Sequence, residues 1–173
     1  MAIPKTKLTK EKNAEARRFL EKIVIDAGVG RLSQQPNFED KGLVLIKRDF
    51  ALIVGQAPQE KTARISIAGF KVREGQIVGL KATLRRKKMV DFFDRLINIV
   101  LPRVRDFGGL DSKIIDSHGV LNIGFKESFV FPEIEQEQSP LGFSMGVTIV
   151  PRARDRAEAL AWYRSYGVPL KKK

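Results

Sequence analysis

The sequence has no cysteine and one histidine, His118. The missing thiols exclude disulfides, thiolate metal sites and cysteine nucleophiles. A single histidine without clustered acids is a poor metal site and a poor catalytic base, so we interpret His118 as an exposed loop residue. We therefore expect no metal, no cofactor and no enzyme activity.

Long apolar runs are also missing. No run approaches the roughly 18 residues of a membrane-spanning helix, and the N-terminus lacks the hydrophobic region of a signal peptide. We expect a soluble, cytoplasmic protein. A membrane-surface role would need an amphipathic helix with a cationic face, which only residues 10–22 could supply.

The glycine motifs for nucleotides are incomplete. Gly55 is followed by Lys61 and Thr62 as in a phosphate-binding loop, but Glu60 occupies the position that requires glycine, where its carboxylate would repel phosphate. An isolated Gly-Val-Gly at residues 28–30 is a weak signal. Neither motif predicts a nucleotide site.

Positive charge is what the sequence has in excess. Its 173 residues carry a formal net charge of +12 and a pI near 10.1, with 43% hydrophobic residues, which indicates a folded polyanion-binding protein. A merely soluble basic protein is the alternative. We divide the chain into a basic arm or short helix at 1–21, a single α+β domain at 22–170 and a basic tail at 171–173.

Hydrophobic periodicity predicts the elements of this domain. Phe38, Leu43, Ile46, Phe50 and Ile53 form the buried stripe of a helix that opens at Pro36-Asn37 and stops at Gly55. The other expected elements are strands at 22–28, 120–125 and 144–150, helices at 86–101 (ended by Pro102) and 153–166 (Ala157, Leu160, Ala161 and Tyr163 inward), and a long loop at 103–119.

The region from 60 to 89 is the most basic. Its residues 62–68 and 69–85 read as alternating runs around a Glu74-Gly75 turn, with Gly79 as a bulge. We expect Ile65 and Ile67 in the first run, and Leu80, Ala82 and Leu84 in the second, to face the helices. The opposite face would be open and cationic, and we assign RNA binding to Lys61, Arg64, Lys81 and Arg85 on it.

Several motifs resemble the ribosomal protein L five family, the 5S rRNA-binding proteins of the large subunit. They are Gly-Gln-Ala-Pro at 55–58, Ser-Ile-Ala-Gly-Phe-Lys-Val-Arg-Glu-Gly at 66–75, Gly-Leu-Lys-Ala-Thr-Leu-Arg at 79–85, Leu-Pro-Arg-Val-Arg-Asp-Phe-Gly-Gly-Leu at 101–110, Asn-Ile-Gly-Phe-Lys-Glu at 122–127 and Phe-Pro-Glu-Ile at 131–134. The resemblance covers about residues 22–170.

The resemblance implies an α+β fold, with helices on one face of an antiparallel sheet. It also implies a position in the central protuberance, linking 5S rRNA to 23S rRNA beside other large-subunit proteins. Asp26, Gln56 and Thr83 match the family's 5S rRNA contacts. P-site tRNA would meet Lys71, Arg73, Glu74, Gly75, Gln76 and Gly79, and a small-subunit head protein would meet Arg103, Arg105, Asp111, Ser112 and Lys113.

Two features depart from the family pattern. Asp26 stands where the family has asparagine, and aspartate only accepts hydrogen bonds and adds negative charge. The chain also starts close to its first strand, without the longer N-terminal helix of many bacterial members.

Two other functions remain as alternatives. One is an enzyme acting on RNA, which would need clustered acids or a metal set. The other is an interaction module in which the acidic segment 127–138, with four Glu and no Lys or Arg, recruits a basic protein.

Overall fold

A computed structural model describes residues 7–34, 38–134, 137, 139, 141–153 and 155–171, without the side chains of 7–10, 34, 39 and 40. One sheet contains five strands in the order β2-β3-β1-β5-β4. The strands are β1 Leu20–Gly28, β2 Gln59–Thr62, β3 Ile77–Leu84, β4 Leu121–Phe125 and β5 Met145–Pro151. The helices are α1 Lys7–Phe19, α2 Leu43–Val54, α3 Arg86–Arg95, α4 Leu101–Arg103 and α5 Arg156–Tyr166.

The expected α+β class with an antiparallel sheet is confirmed. Strand β1 starts at Leu20, two residues earlier than predicted, whereas β4 and β5 each begin and end within a residue of their predicted bounds. None of the helices in the described parts of the chain is long and apolar enough to span a membrane.

The chain forms two compact units. Unit 1 comprises Met1–Ile23, Leu84–Ile123 and Thr148–Lys173, and unit 2 comprises Val24–Thr83 and Gly124–Val147. Each unit has buried apolar side chains of its own, including Phe92, Phe93 and Tyr163 in unit 1 and Ile25 and Phe50 in unit 2.

In unit 2, α2 packs through the predicted stripe. All five of its predicted apolar residues are buried, and Gly55 ends the helix in the left-handed conformation at φ 74°. Helices commonly end at glycine in this way, because glycine has no Cβ that would clash in the left-handed conformation. A π-helical turn, Phe38–Gly42, precedes α2, and the predicted opening at Pro36-Asn37 lies outside the described residues.

The predicted strand at 62–68 is wrong. Strand β2 is only Gln59–Thr62, all four of its residues are exposed, and it pairs antiparallel with β3 at the edge of the sheet. Charged and polar residues suit an edge strand, because they discourage further pairing. The predicted irregularity near Gly79 is present, since Lys61 pairs with Gly79 and Thr62 with Ile77, which leaves one β3 residue unopposed.

In unit 1, the predicted helix at 86–101 is continuous but not uniform. It runs as α3, a π-helical turn Leu96–Val100 and α4, so the helix ends at Arg103 and not at Pro102. Pro102 is the second residue of α4, one residue before the helix ends. The predicted apolar face is buried, at Met89, Phe92, Phe93, Leu96, Ile97 and Val100.

The inward face of α5 was predicted correctly at Tyr163, which is buried, and wrongly at Ala157 and Ala161. Ala157 and Ala161 are exposed, and the buried residues are Ala159, Tyr163 and Tyr166. The stripe follows the large aromatic rings because they bury more apolar area than alanine methyl groups. The ring of Trp162 stacks on that of Phe19 at the end of α1, with centroids 4.0 Å apart, and its Nε1 donates to Glu15 Oε1 at 2.9 Å.

Candidate nucleic-acid interface

The strands of unit 2 present one face to solvent. Leu80, Ala82 and Leu84 on β3 are buried. The alternate residues point to the other face, as the sequence predicts: Lys81 is half-buried and Thr83 is exposed. We call this surface the open face. Its members in unit 2 are Val24, Asp26, Gly28, Gly79, Lys81, Thr83, Gly124 and Gly146.

Four of these eight residues are glycines, so about half of the open face in unit 2 has no side chains projecting from it. A Cβ at Gly28 or Gly124 would meet no atom within 4 Å, so neighbouring side chains do not fill this space. Glycine within a strand commonly marks a place where another backbone or a ligand approaches closely. The open face is therefore bare of side chains over much of its area, and a few polar side chains project from it.

Gln56 and Thr83 lie next to each other although 27 residues separate them in the chain. The amide Nε2 of Gln56 donates to the Thr83 carbonyl oxygen at 3.2 Å. Gln56 follows the end of α2 and Thr83 lies near the end of β3, so the turn after Gly55 brings the two together. The bond orients the Gln56 amide and leaves its Oε1 as an available acceptor, and the Thr83 side chain is exposed.

Asp26 also belongs to the open face. Its carboxylate lies over Gly146 on β5, where a Cβ would come within 2.8 Å of Asp26 Oδ1. Glycine at position 146 is what makes room for this carboxylate. Among the described residues, no hydrogen-bond donor or cation pairs with Asp26.

Two predicted cations of unit 2 lie beside the open face on the β2 side. Lys61 and Arg64 are exposed and make no ion pair with any described residue. The nearby carboxylate of Glu60, which argued against a phosphate loop, forms an ion pair with Lys47. Lys61 and Arg64 are therefore free to bind an anion, while Glu60 is partly neutralised.

The segment 63–76, which joins β2 to β3, is held by its own hydrogen bonds. The Ile67 and Val72 backbones pair at 2.9 and 3.2 Å, and Gly75 N donates to Ala63 O at 2.9 Å. Gly75 adopts φ 81°, which confirms the predicted turn. Lys71 also adopts a left-handed conformation, at φ 51°. The hairpin tip thus has a defined backbone.

The tRNA-binding candidates occupy two different environments. Lys71, Arg73, Glu74 and Gly75 are exposed on the tip. Gln76 instead holds the loop, since its Oε1 accepts from Arg73 N at 3.0 Å and its Nε2 donates to Ser33 Oγ at 2.9 Å. Gly79 lies within β3, where a Cβ would be 3.3 Å from the Ala27 carbonyl oxygen.

Sequence reasoning missed the apolar part of the tip. Ile65, Ile67 and Phe70 are 71%, 48% and 68% exposed, although Ile65 and Ile67 were expected to face the helices. Their alternation resembles a half-buried strand, but residues 63–76 form a projecting loop. A signal was present, because the 3₁₀ turn Ala68–Phe70 contains glycine, which disfavours a continuous strand.

The long loop at 103–119 is tied to the C-terminal part of unit 1. Leu110 forms a parallel bridge with Leu170, and Arg156 on α5 donates to the carbonyl oxygens of Ile115 and Ser112 at 3.1 and 2.9 Å. The Tyr163 hydroxyl donates to Gly119 O at 3.1 Å. Burial, and then the nearby charge of Asp116, raises the pKa of Tyr163 above its usual range, so this donor keeps its proton.

The loop presents its bridge candidates at the surface. Arg103, Arg105, Asp111 and Lys113 are exposed, and Ser112 is half-buried. Asp111 Oδ1 accepts from Lys113 N at 2.9 Å and caps the 3₁₀ turn Ser112–Ile114. His118 is exposed, as predicted, and the described residues contain no group of acids or histidine suited to a metal.

Arg85, the last rRNA candidate, belongs to unit 1. It is exposed at the start of α3, and its guanidinium lies 3.6 Å from Glu21 Oε1. The pairing is loose and solvent-exposed, so it contributes little to stability.

Comparison with known proteins identifies the family. The sequence model of the C-terminal region of the ribosomal protein L five family matches residues 77–170. This protein belongs to that family. The large ribosomal subunit protein uL5 of Solibacter usitatus is 42% identical over 167 residues, covering 95% of this chain and 91% of its own.

Two other relatives with the same name support this assignment. The protein of Heliobacterium modesticaldum is 45% identical over 152 residues, covering 88% of this chain and 82% of its own. That of Fusobacterium nucleatum is 41% identical over 153 residues, covering 88% of this chain and 81% of its own. The family resemblance drawn from the sequence motifs is therefore confirmed.

Proposed function

We propose that this protein binds 5S rRNA through the open face of unit 2. As a member of the ribosomal protein L five family, it is a structural component of the large ribosomal subunit and not an enzyme. What we propose beyond this role is that the RNA is 5S rRNA and that the open face binds it.

The contact between Gln56 and Thr83 is the observation that carries the proposal. Family resemblance assigns both residues to 5S rRNA on sequence alone, and the fold brings them into direct hydrogen-bonding contact. Gln56 Oε1 and the Thr83 hydroxyl can accept from, or donate to, ribose 2′-OH groups and base edges, which set the register of the RNA. The neighbouring Lys81 supplies positive charge for phosphates.

Mutation of Lys81 tests the electrostatic part. Neutralising one phosphate-binding cation should lower the slope of log affinity against log salt by about 0.7–0.9. We expect Lys81→Gln to do so in filter binding of 5S rRNA. Lys41→Gln, an exposed lysine at the other end of α2 from Gln56, is the matched control and should leave the slope unchanged. If the two variants behave alike, the open face does not bind 5S rRNA.

Mutation of Gln56 tests the polar part. Gln56→Ala removes the Oε1 acceptor and should weaken 5S rRNA binding by about 1–3 kcal/mol. Gln56→Glu keeps the shape, but its carboxylate cannot donate to Thr83 O and would repel phosphates. We expect Gln56→Glu to bind more weakly than Gln56→Ala. Equal affinity of both variants and the parent would remove Gln56 from the interface.

Asp26 has a specific role in this proposal. Its unpaired carboxylate can only accept, so it would bind a base amine or a ribose 2′-OH and would avoid phosphates. Asp26→Asn tests this, because the amide restores a donor without changing the shape over Gly146. A contact through an RNA donor predicts weaker binding of the variant, whereas stronger binding would show that Asp26 merely repels RNA.

The hairpin tip is the proposed contact for P-site tRNA. It combines the exposed Phe70 with the cations Lys71 and Arg73 on a backbone fixed by its own hydrogen bonds. Aromatic rings and cations together suit stacking on nucleotides and binding of phosphates. Phe70→Ser should weaken tRNA retention in the P site, and a melting curve of the variant separates this effect from any change in stability. Normal retention by Phe70→Ser and Arg73→Gln would argue against this contact.

The loop at 103–119 is the proposed bridge to a small-subunit head protein, next to other large-subunit proteins. Its exposed residues Arg103, Arg105 and Lys113 are cationic, and its backbone is anchored by Arg156 and Tyr163. An Arg103→Glu and Arg105→Glu double variant should reduce subunit association in sedimentation, without loss of 5S rRNA binding. Unchanged association would contradict the bridge.

A further inference from the structure

Helix α2 carries apolar side chains on its outer side as well as on its buried side. Val44 and Leu52 are 58% and 53% exposed, and Arg48 lies between them, one turn from each. Residues four apart share one side of a helix, so these three form a line, which the half-buried Leu45 and Ala51 flank. We call these five residues the α2 stripe. An exposed helix face normally carries polar and charged residues, so the stripe is not explained by the fold of unit 2.

The spacing of the α2 stripe is that of a helix-packing seam. Val44 and Ala51 are seven residues apart, and so are Leu45 and Leu52. Apolar residues that repeat every seven positions on one side of a helix keep the seam facing a second helix over successive turns. An amphipathic helix binds such a seam through its own residues at i, i+3 or i+4, and i+7. The stripe therefore suits a helical partner.

The charges around the stripe do not suit RNA. Lys47 forms an ion pair with Glu60, and the guanidinium of Arg48 lies 3.1 Å from the buried carboxylate of Asp49. Arg48 Nη2 also donates to Ser139 Oγ at 3.2 Å. Two of the cations on this side of the helix are thus paired within the chain. Aliphatic side chains offer no ring for stacking on bases, so the stripe lacks the usual features of a single-strand RNA surface.

The position of Arg48 indicates the charge of the partner. Its contact with Asp49 fixes the guanidinium at the centre of the stripe, where the side chain remains 48% exposed. A guanidinium covered by a partner without acceptors would be desolvated at a high cost. Lys41, just before the helix, is exposed and forms no ion pair with a described residue. The complementary partner carries carboxylates at these places.

A second copy of this chain does not meet that requirement. Pairing of two α2 stripes would bring Arg48 of each copy into one seam, and each chain carries a net charge of +12. Like charges placed opposite each other disfavour a pairing. The occupant is therefore another protein.

We propose that the α2 stripe docks an amphipathic helix of another protein of the large ribosomal subunit. The partner helix has apolar residues that pack on Val44 and Leu52, and between them a carboxylate that pairs with Arg48. This interface lies outside the open face, the hairpin tip and the 103–119 loop, so it goes beyond the proposed function. It depends only on the membership of this protein in the large subunit.

Photo-crosslinking in purified large subunits identifies the occupant. The full-length chain carries p-benzoylphenylalanine in place of Leu52 or, as the control, in place of Ala157, which is exposed on α5 in unit 1. We expect position 52 to give an adduct with one protein, located by mass spectrometry in a helix with the described apolar and acidic pattern, and position 157 not to give it. An adduct with RNA or with a second copy of this chain, a segment without carboxylates, or no adduct at position 52 would overturn the proposal.

A peptide with the sequence of the crosslinked helix then measures the contacts of the stripe. Leu52→Gln should weaken its binding to the full-length protein roughly tenfold, because a large part of the leucine side chain no longer contributes apolar contact. Leu52→Lys should bind the peptide more tightly than Leu52→Glu, since the partner is acidic, and Ala157→Gln should bind like the parent. A melting curve of each variant separates binding from stability. Unchanged affinity of Leu52→Gln, or tighter binding by Leu52→Glu than by Leu52→Lys, contradicts the proposal.

The two interfaces can fail independently. Leu52→Gln should keep its affinity for 5S rRNA, and Lys81→Gln should keep its affinity for the peptide. A Lys81→Gln variant with unaltered 5S rRNA binding would refute the proposed function and leave the peptide result standing. Loss of 5S rRNA binding by Leu52→Gln without loss of peptide binding would instead assign the α2 stripe to RNA and overturn the inference.

Discussion

Gly119 is a position at which both the backbone and the packing require glycine. It adopts φ 79°, and a Cβ built on it would lie 2.5 Å from Ala159 Cβ on α5 and 3.4 Å from Pro151 Cγ. Its carbonyl oxygen also accepts the hydrogen bond of the buried Tyr163. We predict that Gly119→Ala destabilises the protein and displaces the end of the 103–119 loop.

The magnitude follows from two terms. A left-handed conformation costs a residue other than glycine about 1–2 kcal/mol, and overpacking against Ala159 costs about 1–3 kcal/mol more. Urea denaturation should therefore show a loss of roughly 2–5 kcal/mol in the free energy of unfolding.

Two controls separate these terms. Gly167→Ala has φ 107° but no atom within 4 Å, so it reports backbone strain alone, and Gly108→Ala has neither problem. Adding Ala159→Gly to Gly119→Ala should restore part of the loss, because it removes the clashing methyl group. If Gly119→Ala is no worse than Gly167→Ala, or if Ala159→Gly gives no rescue, the packing argument is refuted.

Two further predictions concern buried polar groups. Burial, then the charges of Asp94 and Glu15, raises the pKa of Tyr166 to about 12. Ionisation of Tyr166 therefore leaves stability unchanged below about pH 10, the unfolded pKa, and lowers it increasingly as the pH rises towards 12. In urea denaturation, Tyr166→Phe should reduce the loss of unfolding free energy at alkaline pH. Because no described residue pairs with the buried hydroxyl, the variant should be as stable as the parent at pH 7 or slightly more stable. Asp49 is 1% exposed, and its Oδ1 accepts from Arg48 Nε at 3.1 Å. Asp49→Asn should therefore lower the free energy of unfolding by about 1–3 kcal/mol. The control Glu127→Gln, at an exposed position, should change it by less than about 0.5 kcal/mol. Equal unfolding midpoints of the two variants would contradict the importance of that ion pair.

The periodic parts of the fold could be predicted from the sequence. The stripe of α2 and the alternation of β3 are strong signals because each buries a regular set of apolar side chains. The alternation at Ile65 and Ile67 is equally regular but belongs to a loop. Which residues form a strand depends on which of them pair with a neighbouring strand, and the residues that pair with the outer side of β3 are Gln59–Thr62. The local alternation of apolar residues does not distinguish a strand such as β3 from a loop such as the one that contains Ile65 and Ile67.

The candidate site shows the same division. That Lys81 and Thr83 share a face follows from strand geometry alone. The hydrogen bond between Gln56 and Thr83, the placement of Asp26 over Gly146 and the use of Gln76 to hold the loop all depend on segments distant in the chain.

Violations of local rules fall into two groups that have different meanings. At Gly119 a positive φ is occupied by glycine, and the surrounding atoms explain why, so the feature serves the fold. At Arg86 a positive φ is occupied by arginine, in a helix turn that also carries two lysines, and no described residue forms an ion pair or hydrogen bond with its side chain. The carboxylate of Asp26 likewise has no hydrogen-bond donor or cation beside it among the described residues. Asp26 lies on the open face, which we propose to bind RNA, and a donor group of the RNA would pair with its carboxylate.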